Sequence, residues 1–286
     1  MKIYEPLSKY TTLGLGGPAD CLIDVQNLSG LRRVLGFAKK QKLPLTLLGG
    51  GSNVLIKDGG IRGIVIRLKE EFAGIQIRGT KVICGGGASL SGAVVAAAAK
   101  GLFGLEFAAG IPGSVGGAVI MNAGAAGGEM KDVVTRVTVI DRNGKTVKLT
   151  PEKCGFIYRG SKLKGGRVFV IKAEFRLKKS TKAAVKAKVL ELIRKRKADQ
   201  PCSWGTAGCV FKNPEGFSAG RLIDAAGLKG KSVGKVVVSK QHGNFLVNRG
   251  SSARDFIKLM ELVKRTVLKK KGIKLEEEIL ILGEDR

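Results

Sequence analysis

The 286-residue sequence predicts an α+β protein. Three observations predict it. Residues 21–68 alternate between strand and helix patterns, as a small α/β unit does. Residues 75–84 and 133–177 read as paired antiparallel strands. From Lys178 the texture turns basic and helical, which sets a domain boundary near Lys179.

In chain order, Thr11-Thr-Leu-Gly-Leu-Gly-Gly-Pro18 is a turn-rich entry, and Cys21–Val25 alternates like a strand. Leu31–Lys42 is predicted helical, with Leu31, Val34, Leu35 and Ala38 on one face. Leu45–Leu48 is a short strand that runs into Gly49-Gly-Gly-Ser-Asn53, and Ile64–Leu68 is another strand. Ile75–Arg78 and Lys81–Cys84 pair. Ser89–Lys100 is a helix, with Gly101 where a terminating glycine belongs. Val133–Asp141 and Thr146–Leu149 flank Arg142-Asn-Gly-Lys145, a hairpin signal, and Arg167–Leu177 is a long strand. Thr181 caps a helix whose face carries Val185, Val189, Leu192 and Ile193. Phe217–Ala226 is helical, and Val236–Val238 and Phe245–Val247 are strands. Ser252-Ala-Arg-Asp255 opens a long helix to Lys270. Ile279–Leu282 closes the chain as a buried strand.

Composition narrows the function. The chain is 44% hydrophobic and 26% charged, ordinary for a globular protein. No apolar run reaches the length of a membrane span, and the first residues lack the apolar core of a signal peptide. A cytoplasmic protein is expected. Five scattered cysteines without a Cys-x-x-Cys suit free thiols, and the single histidine, His242, excludes a multi-histidine metal centre, so no metal is expected. A net charge of +28 raises nucleic-acid binding. Aromatics at 5% supply a base-stacking surface poorly, and the lysines are spread along the chain. A solvated basic surface is the favoured reading, without a dedicated nucleic-acid partner.

Ala109–Glu129 is rich in glycine yet apolar. Glycine is costly inside a helix or strand, so this run is read as backbone that must come close to something. Either it forms tight turns between packed elements, or it holds a ligand's phosphates or flat ring. Two further runs, Leu48-Gly-Gly-Gly-Ser-Asn-Val-Leu55 and Cys84-Gly-Gly-Gly-Ala88, favour a large phosphate-bearing cofactor. Gly227-Leu-Lys-Gly-Lys-Ser232 imitates a nucleotide-triphosphate loop, but position 225 is Ala and no strand precedes it.

Three short stretches bear chemistry: Tyr158-Arg-Gly-Ser161, Ala207-Gly-Cys-Val-Phe-Lys-Asn-Pro214 and Leu275-Glu-Glu-Glu-Ile279. With Gly110-Ile-Pro-Gly-Ser-Val-Gly-Gly-Ala118, Met121-Asn-Ala-Gly124, Ala226-Gly-Leu-Lys-Gly230 and the run at Leu48–Leu55, they occur in the order found in one family. The chain resembles the UDP-N-acetylenolpyruvoylglucosamine reductases, flavoenzymes that make UDP-N-acetylmuramate for peptidoglycan. Its length resembles that of the short form, without an inserted substrate-covering loop.

The resemblance implies a two-subdomain FAD-binding module, residues 1–70 and 71–179, followed by a substrate-binding α+β domain, residues 180–286. It implies FAD as cofactor, NADPH as reductant, UDP-N-acetylglucosamine-enolpyruvate as substrate and a monomer. Cofactor contacts are expected from Gly49, Gly50, Gly51, Ser52, Asn53, Val54, Gly110, Pro112, Gly113, Ser114, Gly116, Gly117, Asn122 and Ala123. Substrate contacts are expected from Tyr158, Lys197, Lys212 and Asn213. Arg159 and Glu278 are expected to stabilise the enolate that hydride addition generates. Cys209 stands where the family has a proton-donating serine, and it is read as the proton donor. Ala126 stands where many relatives have tyrosine.

Overall fold

A computed structural model describes residues 1–201, 205–250 and 252–285. Cys202, one of the five expected free thiols, lies outside the described residues. The chain forms two compact units. Unit 1 comprises Met1–Lys2, Cys21–Gly50 and Gly63–Arg196, and unit 2 comprises Ile3–Asp20, Gly51–Arg62 and Lys197–Arg286.

Unit 1 is built around a five-stranded antiparallel sheet. Its strands run in the order Thr146–Leu149, Val134–Asp141, Val168–Arg176, Lys81–Gly85 and Ile75–Arg78. The Asn-Gly turn joins the first two, with Val137 opposite Leu149 and Ile140 opposite Thr146. Side chains alternate across a strand, and here the two faces serve two cores. Phe169, Ile171 and Ile140 meet helix α1 (Leu28–Lys40) through Leu31, Leu35 and Ala38, together with Ile64, Ile66 and Phe72. Val170, Ala173, Phe175, Val137 and Cys84 face a second core with α2 (Leu90–Ala99) and α3 (Val115–Ile120). Each fully buried Leu or Phe contributes about 1.5–3 kcal/mol. Burial also pushes the Cys84 thiol up to about 12, so it serves as a small apolar residue.

The caps follow the sequence. Asn27 accepts from the Gly30 N–H at the start of α1, and Ser89 from the Gly92 N–H at the start of α2. Gly101, just past α2, takes the left-handed φ of 65°. A short helix α4 (Pro151–Cys154) has Pro151 in its first turn and ends at Gly155 with φ of 55°.

The glycine-rich run differs from expectation, because it contains the helix α3. Ser114 caps that helix by accepting from the Gly117 N–H at 3.2 Å. Gly116 is needed for packing: a Cβ there would sit 2.8 Å from the Gly86 carbonyl oxygen and 3.3 Å from that of Val170. The third run is likewise used by the protein itself. A Cβ on Gly85, Gly86 or Gly87 would overlap the Phe72, Val170 or Leu68 carbonyl respectively.

Helix α5 (Lys182–Asp199) follows the strand Lys178–Lys179, and Thr181 accepts from the Ala184 N–H at 3.1 Å. Val185 and Val189, with Leu192 and Ile193 beside them, pack into the second core of unit 1. The two compact units are thus interleaved along the chain.

Unit 2 has its own core. Helix α6 (Ala219–Ala225) and helix α7 (Ala253–Lys271) contribute Leu222, Ile223, Phe256, Leu259, Met260 and Val263. Ser252 caps α7 by accepting from the Asp255 N–H at 3.1 Å. Strands Ser232–Val233, Val236–Val238 and Leu246–Asn248 form an antiparallel sheet. Leu13, Leu15 and Leu55, from the N-terminal part of the chain, share this core. The reason is strand pairing: Val54–Ile56 runs parallel to Leu280–Leu282. That closing strand is not buried as expected. Ile281 is 39% exposed, and it is Ile279, before the strand, that enters the core at 3%. Among the described residues no helix is long and apolar enough to cross a membrane.

Candidate active site

In unit 1 two of the glycine-rich runs meet. A Cβ on Gly49 would sit 2.6 Å from the Ser114 hydroxyl, and one on Gly50 would sit 2.5 Å from the Gly113 Cα. Gly113 has φ of 125° and Gly110 of 73°, in the region that favours glycine. The result is side-chain-free backbone from two segments held in contact, and such a cradle suits a large anionic cofactor. Arg196 of α5 lies over Gly110, within 3.0 Å of where a Cβ would be. Gly50→Ala is expected to lower stability by about 2 kcal/mol through overpacking, which thermal unfolding would report. Gly36→Ala is its control, since nothing lies within 4 Å of that position inside α1, and it is expected to stabilise by about 0.5–1 kcal/mol.

Arg159 also belongs to unit 1. It sits at the tip of a tight turn in which Ile157 and Gly160 exchange both backbone hydrogen bonds. Its φ is 54°, a strained value for a residue with a side chain. Nη1 donates to the Gly124 carbonyl at 2.8 Å, and the guanidinium lies 5.3 Å from the centre of the half-exposed Tyr158 ring. Ser161 donates to the Ile120 carbonyl at 2.8 Å.

Asn122 is wholly buried, with φ of 43°. Its Nδ2 donates to Glu129 at 2.8 Å and to the Ile157 carbonyl at 3.1 Å. Its Oδ1 accepts from the Lys131 N–H at 2.9 Å. Those three bonds use the amide's donors and one face of its acceptor. Beside it, Gly124–Ala125 and Gly128–Glu129 form a hairpin whose turn residues, Ala126 and Gly127, have φ of 50° and 85°. Ala126 is exposed at that tip.

Unit 2 holds Cys209 and Glu278, and it brings their backbones together. The Val210 carbonyl accepts from the Glu278 N–H at 2.8 Å, and the Glu276 carbonyl from the Lys212 N–H at 2.8 Å. The neighbouring carboxylates have partners of their own. Glu276 pairs with Lys212 at 3.2 Å and Glu277 with Lys264 at 2.6 Å. The bond to Glu277 raises the Lys264 ammonium above its ordinary range. Asn53 steadies the same segment, since its Nδ2 donates to the Glu278 carbonyl at 3.2 Å and its own carbonyl accepts from the Leu280 N–H at 3.0 Å. Asn213 Oδ1 accepts from the Ala219 N–H at 3.0 Å, at the start of α6. Gly51, Ser52 and Val54 belong to this unit. A Cβ on Gly51 would overlap the Tyr10 carbonyl. Lys197 lies exposed near the end of α5, where its carbonyl accepts from Gln241 Nε2 at 3.2 Å.

Sequence reading missed Asn244. It is 2% exposed and acts as one rung of a strand ladder for the Cys209 segment. Oδ1 accepts from the Phe211 N–H at 2.9 Å, Nδ2 donates to the Phe211 carbonyl at 2.7 Å, and its own carbonyl accepts from the Val210 N–H at 2.9 Å. One asparagine in Gln241-His-Gly-Asn-Phe245 carries no periodic signal that could have marked it.

His242 is beside it, and its Nδ1 accepts from the Asn244 N–H at 3.2 Å. Burial first, then nearby Lys229, hold the imidazole below its ordinary 6.5. The unfolded chain therefore binds the proton more readily. Stability should be present in full above pH 6.5 and be lost as pH falls through the window below it. His242→Gln should flatten that part of the curve in urea unfolding measured from pH 8 to 5. An unchanged slope would show that His242 is not the group responsible.

Residues 19–150 match the FAD binding domain family, and residues 200–282 match the UDP-N-acetylenolpyruvoylglucosamine reductase, C-terminal domain family. The chain is 45% identical over 280 residues to UDP-N-acetylenolpyruvoylglucosamine reductase 2 of Symbiobacterium thermophilum, covering 98% of this chain and 91% of that one. It is 43% identical over 280 residues to the reductase of Clostridium novyi, again covering 98% and 91%. Among solved structures, the UDP-N-acetylenolpyruvylglucosamine reductase of Thermus caldophilus superimposes with a TM-score of 0.85 at 41% identity, covering 97% of both chains.

Proposed function

Because the chain belongs to the UDP-N-acetylenolpyruvoylglucosamine reductase family, an FAD-binding oxidoreductase family, we propose that it uses NADPH to reduce the enolpyruvyl group of UDP-N-acetylglucosamine-enolpyruvate to UDP-N-acetylmuramate. The observation that carries the reading to this chain is the backbone pairing of the Cys209 and Glu278 segments, with Asn53 joined to the second. The interlocked Gly49–Gly50 and Gly113–Ser114 backbone fits FAD, because a flavin dinucleotide needs close main-chain approach to its diphosphate. Gly110, Pro112, Gly116, Gly117, Ala123 and the stretch Gly51–Val54 complete the proposed cofactor contacts.

Bound FAD would supply the hydride that adds to the enolpyruvyl CH2 carbon, with NADPH as the reductant. Negative charge then develops on the adjacent carbon and spreads into the substrate carboxylate. Arg159, permanently charged and able to meet two oxygens at once, is proposed to hold that carboxylate. Glu278, in the form that carries a proton, is proposed to donate a hydrogen bond to the developing enolate. Cys209 then gives its thiol proton to the carbon, since a thiol is in general a stronger acid than a serine hydroxyl. Lys197, Lys212, Asn213 and Tyr158 are proposed to hold the nucleotide diphosphate and sugar.

The test follows the visible spectrum. NADPH should bleach the flavin, and the enolpyruvyl sugar nucleotide, added without oxygen, should restore it. Bleaching without restoration would leave a flavoenzyme with a different acceptor.

A further inference from the structure

Arg159 must be held where a strained turn puts it, and the holding residues are visible. The turn is fastened at both ends to the segment Ile120–Gly124: Ser161 to the Ile120 carbonyl, and the Ile157 carbonyl to the Asn122 amide. The guanidinium itself is fastened to the Gly124 carbonyl at 2.8 Å. Gly124 lies directly opposite Glu129 in the hairpin. The Glu129 carboxylate accepts from Asn122 at 2.8 Å, accepts from the Asp132 N–H and forms an ion pair with Lys131. One buried amide and one carboxylate thus connect the turn that carries Arg159 with the hairpin that carries its acceptor.

We infer that Asn122 and Glu129 are positioning residues for Arg159, fixing the angle at which its guanidinium is presented. The inference rests on the reading of Arg159 as the group that meets the substrate carboxylate. It assigns Asn122 a different part from direct contact with FAD. A charged side chain held to a single hydrogen-bonding direction meets a planar carboxylate with two parallel bonds, and a displacement of about 1 Å in such a group can cost about 10²-fold in rate. The unusual φ values of Asn122 and Arg159, 43° and 54°, are the backbone cost of this arrangement.

The experiment separates the two half-reactions by stopped flow in the flavin-loaded enzyme. Asn122→Ala and Glu129→Ala should each slow reoxidation by the enolpyruvyl sugar nucleotide about 10²-fold, with bleaching by NADPH unchanged. Glu129→Gln, which keeps an oxygen for the Asn122 amide, should recover most of the loss. Glu129→Ala guards against a fold defect in Asn122→Ala, because the Glu129 side chain is 24% exposed. In the Arg159→Ala background neither substitution should slow reoxidation further, since all act through one group. Apoprotein titrated with FAD should bind it as the parent chain does. Additive losses, unimpaired reoxidation in both alanine variants, or weakened FAD binding in Asn122→Ala would each overturn the inference. Unimpaired reoxidation in Arg159→Ala alone would instead overturn the reading of Arg159 beneath it.

Discussion

Cys209→Ala should leave the enzyme able to accept electrons from NADPH and unable to complete the reaction. Removing a positioned proton donor costs about 10²–10⁴-fold, and the loss should fall on reoxidation of the flavin by the enolpyruvyl sugar nucleotide. Cys209→Ser should remain active, since it restores a hydroxyl donor of similar reach. The two variants differ by one polar atom, so packing cannot account for a difference between them. Single-turnover reoxidation, followed by absorbance, reads the step directly. Solvent deuterium should slow the parent and the serine variant and have little effect on the residual alanine rate. A fully active Cys209→Ala would remove the thiol from the mechanism and return it to the role of a small apolar side chain.

Much of the architecture was legible in the sequence, for identifiable reasons. Asn143-Gly144 between two alternating runs specified its hairpin, because few residues tolerate the turn's dihedrals. Ser89, Thr181 and Ser252 marked helix starts, because each oxygen satisfies an N–H that the first turn leaves unpaired. The helix Val115–Ile120 was hidden because glycine content argued against it. Its glycines answer to tertiary contact instead, with Gly116 set against the Gly86 and Val170 carbonyls, and tertiary packing overrides propensity. The interleaving of the chain was hidden for another reason: the partner of Val54–Ile56 is Leu280–Leu282, more than two hundred residues away. Local periodicity contains no record of such a pairing.

The candidate site divides in the same way. Arg159, Cys209 and Glu278 enter the candidate site through the family resemblance, since by residue type alone an arginine, a lone thiol and a run of carboxylates each have an ordinary structural reading. Asn122, bonded to the turn that carries Arg159, and Asn244, bonded to the segment that carries Cys209, are ordinary amides that acquire these partners only in the folded chain. The Asn122 side chain bonds to Glu129, Ile157 and Lys131, partners that no local sequence pattern encodes.

Asn244 carries the second large effect. Asn244→Leu is close in volume but deletes both bonds to Phe211, leaving a main-chain N–H and carbonyl without partners beside a side chain that is 1% exposed. Each unsatisfied group costs about 1–3 kcal/mol, so the variant should lose about 4 kcal/mol, measured as a lower urea midpoint. Asn244→Asp should be nearly as damaging at neutral pH, because a carboxylate can accept from the Phe211 N–H but cannot donate to its carbonyl. Protonation restores the donor, so burial and the facing carbonyl should raise the folded-state pKa of the introduced acid above its unfolded value. The sign follows from linkage: the stability of Asn244→Asp relative to the parent should recover as pH falls through that raised pKa. Phe211 lies two residues from Cys209 on the same hydrogen-bonded segment. The folded fraction of either variant should therefore lose more in reoxidation by substrate than in reduction by NADPH. Equal losses in the two half-reactions would show that Asn244 sustains the fold without governing where the thiol stands.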